Sequence, residues 1–365
     1  MLYRTLLRPL LFLRDPEKAH NQTLSLISSL SFLEAPLAWL FAVKDARLEV
    51  RLGPLTFPNP VGLAAGFDKN AQAVKAWPGF GFGFIEIGAV TAHPQPGNPT
   101  PRLFRLPKDE ALINRLGFNN EGAEAIAAKL EALSPNDRKR IPLGINIGRS
   151  KVVETRDAPA DFLFTFERLF PYGNFFTLNV SSPNTPQLRD LQEKRLLQDL
   201  LETIQGKNRE LAKRFKVSEK PIFVKIAPDM DFSQVDDIIA VAQSEKIAGI
   251  IATNATAFLR EKLVTPTHEP GGLSGKPIKA LATSFIRHIY KTTRGGLPII
   301  GVGGIFTAQD AYEKIKAGAS AVQILTGFVY EGPGAVKRIN MGLLRLMERD
   351  GLKNISEAVG SGASM

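Results

Sequence analysis

Between Phe176 and Arg189 the chain reads FTLNVSSPNTPQLR, and the polar side chains Asn179, Ser181, Ser182 and Asn184 follow directly on an apolar, β-branched run. The two prolines in the stretch, Pro183 and Pro186, stop strand or helix from continuing and stiffen the loop. A strand that ends this way hands its last residues to a pocket. Neither Ser182 nor Asn184 is needed to cap the next helix, which begins several residues later. Hydroxyl and amide groups in a pocket can donate and accept hydrogen bonds, and a hydroxyl can join a proton transfer.

Elements that could hold such groups recur along the chain. Short apolar runs at Val61 to Leu63, Phe84 to Ile87, Leu143 to Ile147, Phe176 to Asn179, Ile222 to Ile226, Gly249 to Thr253, Ile299 to Val302 and Ala321 to Leu325 are separated mostly by helical stretches such as Glu121 to Leu133 and Leu196 to Lys213. This alternation predicts an α/β fold, a (β/α)8 TIM barrel, with a small hairpin at Leu48 to Phe57 plugging its floor. Chemistry in such a barrel belongs at the C-terminal ends of the strands. There the sequence places Ala64, Ala65 and Gly66, small enough for a flat ligand to approach the backbone, then Asp68 and Lys69. Asn146, Asn179, Lys225, Thr253 and Asn254 also stand where apolar runs stop. Each alone could be satisfying loop backbone or reaching solvent. Coincidence at so many strand ends is harder to accept. Gly301, Gly303 and Gly304 precede a helix with Thr307 as its expected cap. With Thr326 and Gly327 they predict a phosphate cradle of free N–H groups between the seventh and eighth strands.

Residues 1–46 differ in character. Tyr3, Leu6, Leu7, Leu10 and Leu13 recur at helical spacing, Pro9 should kink that helix, and Asp15-Pro16 should open a second one carrying Leu24, Ile27, Leu30 and Leu33. The apolar runs here fall short of the ~20 residues of a spanning helix. Two readings fit the pattern equally: helices packed on the main domain, or a monotopic anchor in which Arg4, Arg8 and Arg14 meet anionic head groups.

Composition excludes several classes. The 365-residue chain has no cysteine, which rules out disulfides, cysteine-held zinc or iron-sulfur centres and a cysteine base. Its four histidines, His20, His93, His268 and His288, are not paired at ligand spacing, so no metal is expected. A net charge of +10 spread along the chain reads as a solvated basic surface, with no nucleic-acid partner.

Taken in order, the motifs DPEKAH (from Asp15), GLAAGFDKN (from Gly62), RLFRL (from Arg102), INRLGFNN (from Ile113), GINIG (from Gly144), NVSSPNTP (from Asn179), VKIAPD (from Val224), GGLSG (from Gly271) and PIIGVGGI (from Pro298) resemble the class 2, quinone-dependent dihydroorotate dehydrogenases. The resemblance covers nearly the whole chain. It implies a barrel, residues 47–365, holding FMN, oxidation of (S)-dihydroorotate to orotate in de novo pyrimidine biosynthesis, and flavin reoxidation by a membrane quinone. By the same resemblance Ser182 is the base. The substrate would meet Lys69, Asn114, Asn179, Asn184, Asn254 and Ala255, with the turn Asn114, Arg115, Leu116, Gly117, Phe118 folding over it. FMN would lie against Ala64, Ala65, Gly66, Lys69, Ala89, Asn146, Asn179, Lys225, Thr253, Gly275, Gly303, Gly304, Leu325 and Thr326. Residues 1–46 would form a membrane-associating helical extension whose apolar faces guide the quinone, with His20 and Arg102 near the passage. No obligate protein partner is implied. The expected location is peripheral, on the cytoplasmic face of a bacterial inner membrane, with a mitochondrial inner membrane also compatible.

The chain departs from the family pattern at Ala89, where Thr or Ser is common, at Ala255, where Thr is common, and at Leu325, where Tyr is frequent. None of these changes removes the proposed base or either lysine. Two rivals stand beside this reading: a flavin barrel acting on another dihydropyrimidine or on dihydrouridine, and a membrane-binding barrel that has lost its reaction.

Overall fold

A computed structural model describes residues 2–363; Met1, Ser364 and Met365, at the outer limits of the two expected segments, lie outside the described residues. Thirteen strands follow in chain order. They are β1 (Val50–Leu52), β2 (Leu55–Phe57), β3 (Val61–Leu63), β4 (Phe84–Val90), β5 (Leu103–Leu106), β6 (Ala111–Asn114), β7 (Leu143–Ile147), β8 (Phe175–Asn179), β9 (Ile222–Ile226), β10 (Gly249–Ala252), β11 (Gly272–Gly275), β12 (Ile299–Val302) and β13 (Ala321–Ile324). Eight close into a parallel barrel in the order β3-β4-β7-β8-β9-β10-β12-β13 and back to β3. All eight coincide with the apolar runs. Helices such as Lys194–Phe215 and Ala308–Ala317 cover the outside, so the strands are buried on both faces and carry near-continuous apolar side chains. Thr307 caps the latter helix as expected, in a reciprocal pair with Asp310.

The hairpin β1-β2 closes the floor. Phe57 stacks on Phe84 with ring centroids 4.2 Å apart, and Phe175 and Phe223 continue the aromatic layer. Flat rings leave no room beside them: a Cβ on Gly62 would sit 2.4 Å from the Phe84 ring, and one on Gly144 2.2 Å from that of Phe175. The barrel is therefore a packed body open only at its upper end.

At that end lies an element the apolar runs did not reveal, an antiparallel sheet of order β11-β6-β5. Strands β5 and β11 fall within RLFRL and GGLSG, β6 ends on the first two residues of INRLGFNN, and each is only four residues long. Arg105 and the neighbouring Arg102 and Arg115 interrupt the apolar alternation that would have marked them.

The extension starts with a π-turn at Tyr3–Leu7 and continues as α1 (Arg8–Phe12), α2 (Pro16–Ser29), a 3-10 turn at Leu30–Leu33 and α3 (Glu34–Phe41). Pro9 falls in the first turn of α1, directly after this change of helix type, where its missing backbone N–H is tolerated. Asp15 caps α2 by accepting from the Lys18 N–H at 2.9 Å. Two expectations need correction. First, Pro16–Phe41 taken together is long and apolar enough to cross a membrane by length and composition. Counting uninterrupted apolar runs missed this because scattered polar residues break them. Contacts along the whole stretch nevertheless lay it on the barrel: Glu17 pairs with Arg102, Ser28 Oγ donates to the Gln72 carbonyl at 2.7 Å, Glu34 pairs with Arg140, and Lys337 Nζ donates to the Leu40 carbonyl at 2.8 Å. Second, Arg4 and Arg8 have partners on the barrel: Arg4, still half exposed, pairs with buried Glu331, and Arg8 donates to the Tyr330 carbonyl at 3.3 Å. The outward face is apolar. Leu2, Leu6 and Phe32 are exposed on it, Leu13 and Trp39 stand 84% and 87% exposed, and Leu10 and Leu26 are exposed at the rim of the cavity described below.

Candidate active site

The loop after β8 turns Ser182 toward the open end of the barrel, where its hydroxyl accepts the Asn184 N–H at 3.3 Å. Two arginines fix the loop from behind. Arg189 donates from Nε to the Ser181 carbonyl at 3.2 Å and pairs with buried Asp229 at 2.8 Å, and Arg149 donates to the Pro186 carbonyl. Asp229 also accepts from Thr256 and from the Ala257 N–H, so the loops after β8 and β10 share one anchor. Asn184 in turn donates from Nδ2 to the Asn114 carbonyl at 3.0 Å, tying Ser182 to the end of β6. From there the Asn114 to Phe118 turn folds over the mouth, and Phe118 lies so close to Gly148 that a Cβ there would be 2.6 Å from its ring.

Below the mouth, two lysines face the same space. Burial pulls Lys69 down to about 8, with Glu17 opposing and Arg102 reinforcing the shift. Lys225, at the end of β9, is also pulled down by burial, while nearby Glu86 favours its charged form. Asp68 is turned away from this space. Burial raises its carboxyl, while Gln72 N–H, Ala73 N–H and Trp77 Nε1 all donate to it within 3.0 Å, making it a brace for the Lys69 loop. His20 on α2 is held down to about 3 by burial and by the Lys69 cation, and its ring stands edge-on to Phe67 at 4.9 Å. It is neutral at ordinary pH and acts as part of an apolar wall.

These groups line one continuous cavity of about 680 Å³ that runs from the strand ends to the inner faces of α1, α2 and α3. Ser182, Lys69, Asn114, Leu116, Gly117, Phe118, Asn179, Asn184, Asn254 and Ala255 line its polar end. Ala64, Ala65, Gly66, Ala89, Lys225, Thr253, Gly275, Gly303, Gly304, Leu325 and Thr326 do so too, and His20 lines the apolar end. Three expected residues do not. Arg115 points outward, held there by Glu269 at 2.6 Å and by the Pro101 and Pro270 carbonyls, to which it donates. Asn146 is turned into the barrel, where it donates to Glu86. Arg102 stands behind Glu17, which takes its place at the wall.

Four groups at the site escaped the sequence reading: Glu17, Glu86, Thr177 and Gln323. Glu86 and Gln323 had a signal, a polar residue inside each of the runs FIEIG and AVQIL. The cavity's own chemistry also asks for a ligand. Thr253 Oγ1 and Gln323 Oε1 are buried there without a hydrogen-bond partner, as is Thr177 Oγ1 on β8. Buried polar atoms left unpaired are costly. Gly304, at φ +71°, lets the backbone turn at the cavity edge, where a Cβ would meet Lys279 at 2.5 Å. Small residues on one side, orphaned acceptors and donors on the floor, a glycine turn and two lysines fit a flat, polar ring carrying an anionic group.

A family model described as dihydroorotate dehydrogenase matches residues 47–347. Among curated proteins, one named dihydroorotate dehydrogenase (quinone) from Gloeobacter violaceus is 50% identical over 364 residues, covering 98% of each chain. Another of the same name, from Thermosynechococcus vestitus, is 49% identical over 95% of this chain and 98% of its own. Among solved structures, DHODH from Eimeria tenella in complex with ferulenol superposes with a TM-score of 0.88 at 38% identity, covering 95% of both chains.

Proposed function

Since the chain belongs to the dihydroorotate dehydrogenase family, we propose that it oxidises (S)-dihydroorotate to orotate in pyrimidine biosynthesis and passes the electrons to a quinone. The observation that carries this is the single cavity joining a polar end, with Ser182, two lysines and four asparagines, to an apolar end walled by the extension. A polar substrate and an apolar electron acceptor need such opposite surroundings. They must also meet a common carrier.

That carrier is a flavin, and we assign it as FMN, which when bound accepts the hydride from the substrate. The small residues Ala64 and Ala65 would face its ring, Lys225 and Thr253 its polar edge, and Gly303, Gly304 and Thr326 its phosphate. Ser182 takes the acidic proton beside the substrate carbonyl, and the double bond forms as the hydride departs. The clamp of Arg189 and Arg149 holds the hydroxyl in place for this transfer. Asn114, Asn179, Asn184 and Asn254 offer both donors and acceptors to a ring bearing N–H and C=O groups, a pattern that an apolar pocket could not select. Lys69 supplies positive charge to the anionic substrate.

The state of Lys69 makes binding depend on pH. A bound carboxylate favours the protonated amine, so binding and protonation support each other below the free-state value of about 8. Orotate affinity is expected to be flat below about pH 7 and to fall by up to about tenfold per pH unit above about 8, a trend that calorimetric titration across pH checks.

The apolar outer face of the extension supports peripheral attachment to a membrane, which we place at the cytoplasmic face of a bacterial inner membrane. Residues 1–46 then serve as the quinone entrance and residues 47–365 as the catalytic barrel. Orotate formation from dihydroorotate with a soluble quinone tests the whole reading. Turnover of another dihydropyrimidine or of dihydrouridine in its place would reassign the substrate, and a purified protein without flavin absorbance would favour a barrel that has lost its chemistry.

A further inference from the structure

Glu86 lies on β4, fully buried within the barrel, and its two oxygens accept from Asn146 Nδ2 at 2.6 Å and from Gln323 Nε2. A chain of hydrogen bonds leads from it to the cavity. Asn179 Nδ2 donates to Asn146 Oδ1 at 3.0 Å, Ser181 Oγ donates to Asn179 Oδ1 at 2.9 Å, and Asn254 Nδ2 donates to Ser181 Oγ at 2.9 Å. Every donor in the chain therefore points toward Glu86.

A carboxylate only accepts, whereas a carboxamide can present either end and a hydroxyl can do both. Asn146 must turn its NH2 to Glu86 and so its oxygen to Asn179, and the same choice passes to Ser181 and Asn254. Gln323 must likewise turn its NH2 to Glu86, which leaves Oε1 as its unpaired end at the cavity. The geometry points to Glu86 as a positioning residue that sets which ends of Asn179, Asn254 and Gln323 the cavity presents, and through them its preference for a flat ring with alternating N–H and C=O groups. This rests on the reading of the cavity as a dihydroorotate site. Glu86 does not itself line the cavity.

Glu86→Gln keeps the shape and removes the fixed polarity. The new amide can be satisfied only by turning over Asn146, which reverses the chain, or Gln323, which reverses the face shown to the cavity. The double variant Glu86→Gln, Asn146→Asp moves the carboxylate one link along. Gln323 can still donate to position 86, position 86 to position 146, and Asn179 to position 146, so the polarity beyond is restored.

The test is orotate affinity by calorimetry on FMN-loaded protein, with flavin content read from visible absorbance. Glu86→Gln is expected to weaken orotate by about tenfold or more per flavin-loaded site, the scale of one misdirected buried hydrogen bond. The double variant is expected to recover most of that loss, which a merely structural role for Glu86 would not produce. Wild-type affinity in Glu86→Gln overturns the inference, as does a folded double variant that binds as weakly as the single one. If Glu86→Gln does not fold, the double variant decides alone. Wild-type protein that binds neither FMN nor orotate overturns this inference and the functional reading together.

Discussion

Ser182→Ala is expected to slow orotate formation by about 10²–10⁴-fold, the usual contribution of a positioned proton acceptor, while orotate still binds. The substitution removes one hydroxyl that accepts only the Asn184 N–H, so the loop loses little. Its clamps run through the Ser181 carbonyl, the Pro186 carbonyl and Asp229, none of which involves the Ser182 side chain. Two half-reactions separate the role of the hydroxyl from damage to the site. Flavin reduction by dihydroorotate should carry the whole defect. Reoxidation by quinone of chemically reduced protein should proceed at the wild-type rate, since the apolar end of the cavity is untouched. Equal loss in both halves would instead mean a distorted barrel, and no loss in either would remove Ser182 from the proton transfer.

Deleting residues 1–41 is expected to have the converse effect. The extension supplies one wall of the apolar end through Leu7, Leu11, Ala19, Thr23, Ile27 and Leu37. A long quinone tail loses that wall. If about four methylenes are left in water at about 0.8 kcal/mol each, the quinone reaction weakens by a factor of roughly 10². Flavin reduction by dihydroorotate should remain, because the Ser182 loop, the amides and Lys225 all belong to the barrel. Sedimentation with vesicles should fail as well, since the exposed side chains Leu6, Leu10, Leu13 and Trp39 are lost with the segment. A deleted protein that kept full quinone activity and vesicle binding would contradict this role for the extension. Detergent will be needed in the assay, because deletion also uncovers Phe80, on which Phe41 stacks.

The barrel was legible because a parallel strand covered on both faces must be apolar throughout, and glycine or proline marks its ends. Val61 to Leu63 and Ile222 to Ile226 are cases where run and strand coincide. The β11-β6-β5 sheet was not legible by that rule. It lies across the mouth with one side toward the extension, so Arg105 could stay in its strand by donating to the Phe12 and Arg14 carbonyls of a partner about 90 residues away in sequence. Among site residues, those at strand ends were readable because a polar group interrupts an apolar pattern there. Glu86 interrupts one too, but from the middle of a strand, where only the folded barrel shows that Asn146 and Gln323 converge on it. Arg115 does not reach the cavity: its motif gave a stretch of loop, and its own side chain is held outward by Glu269, far along the chain.

Passage of electrons from dihydroorotate to a quinone through one cavity is tested most directly by adding dihydroorotate without oxygen to the purified protein and following the visible flavin band, then adding a quinone. The expected result is bleaching with formation of one orotate per flavin, followed by full return of the band on quinone addition. A band that dihydroorotate leaves unchanged, in protein that carries its full complement of flavin, would contradict the account.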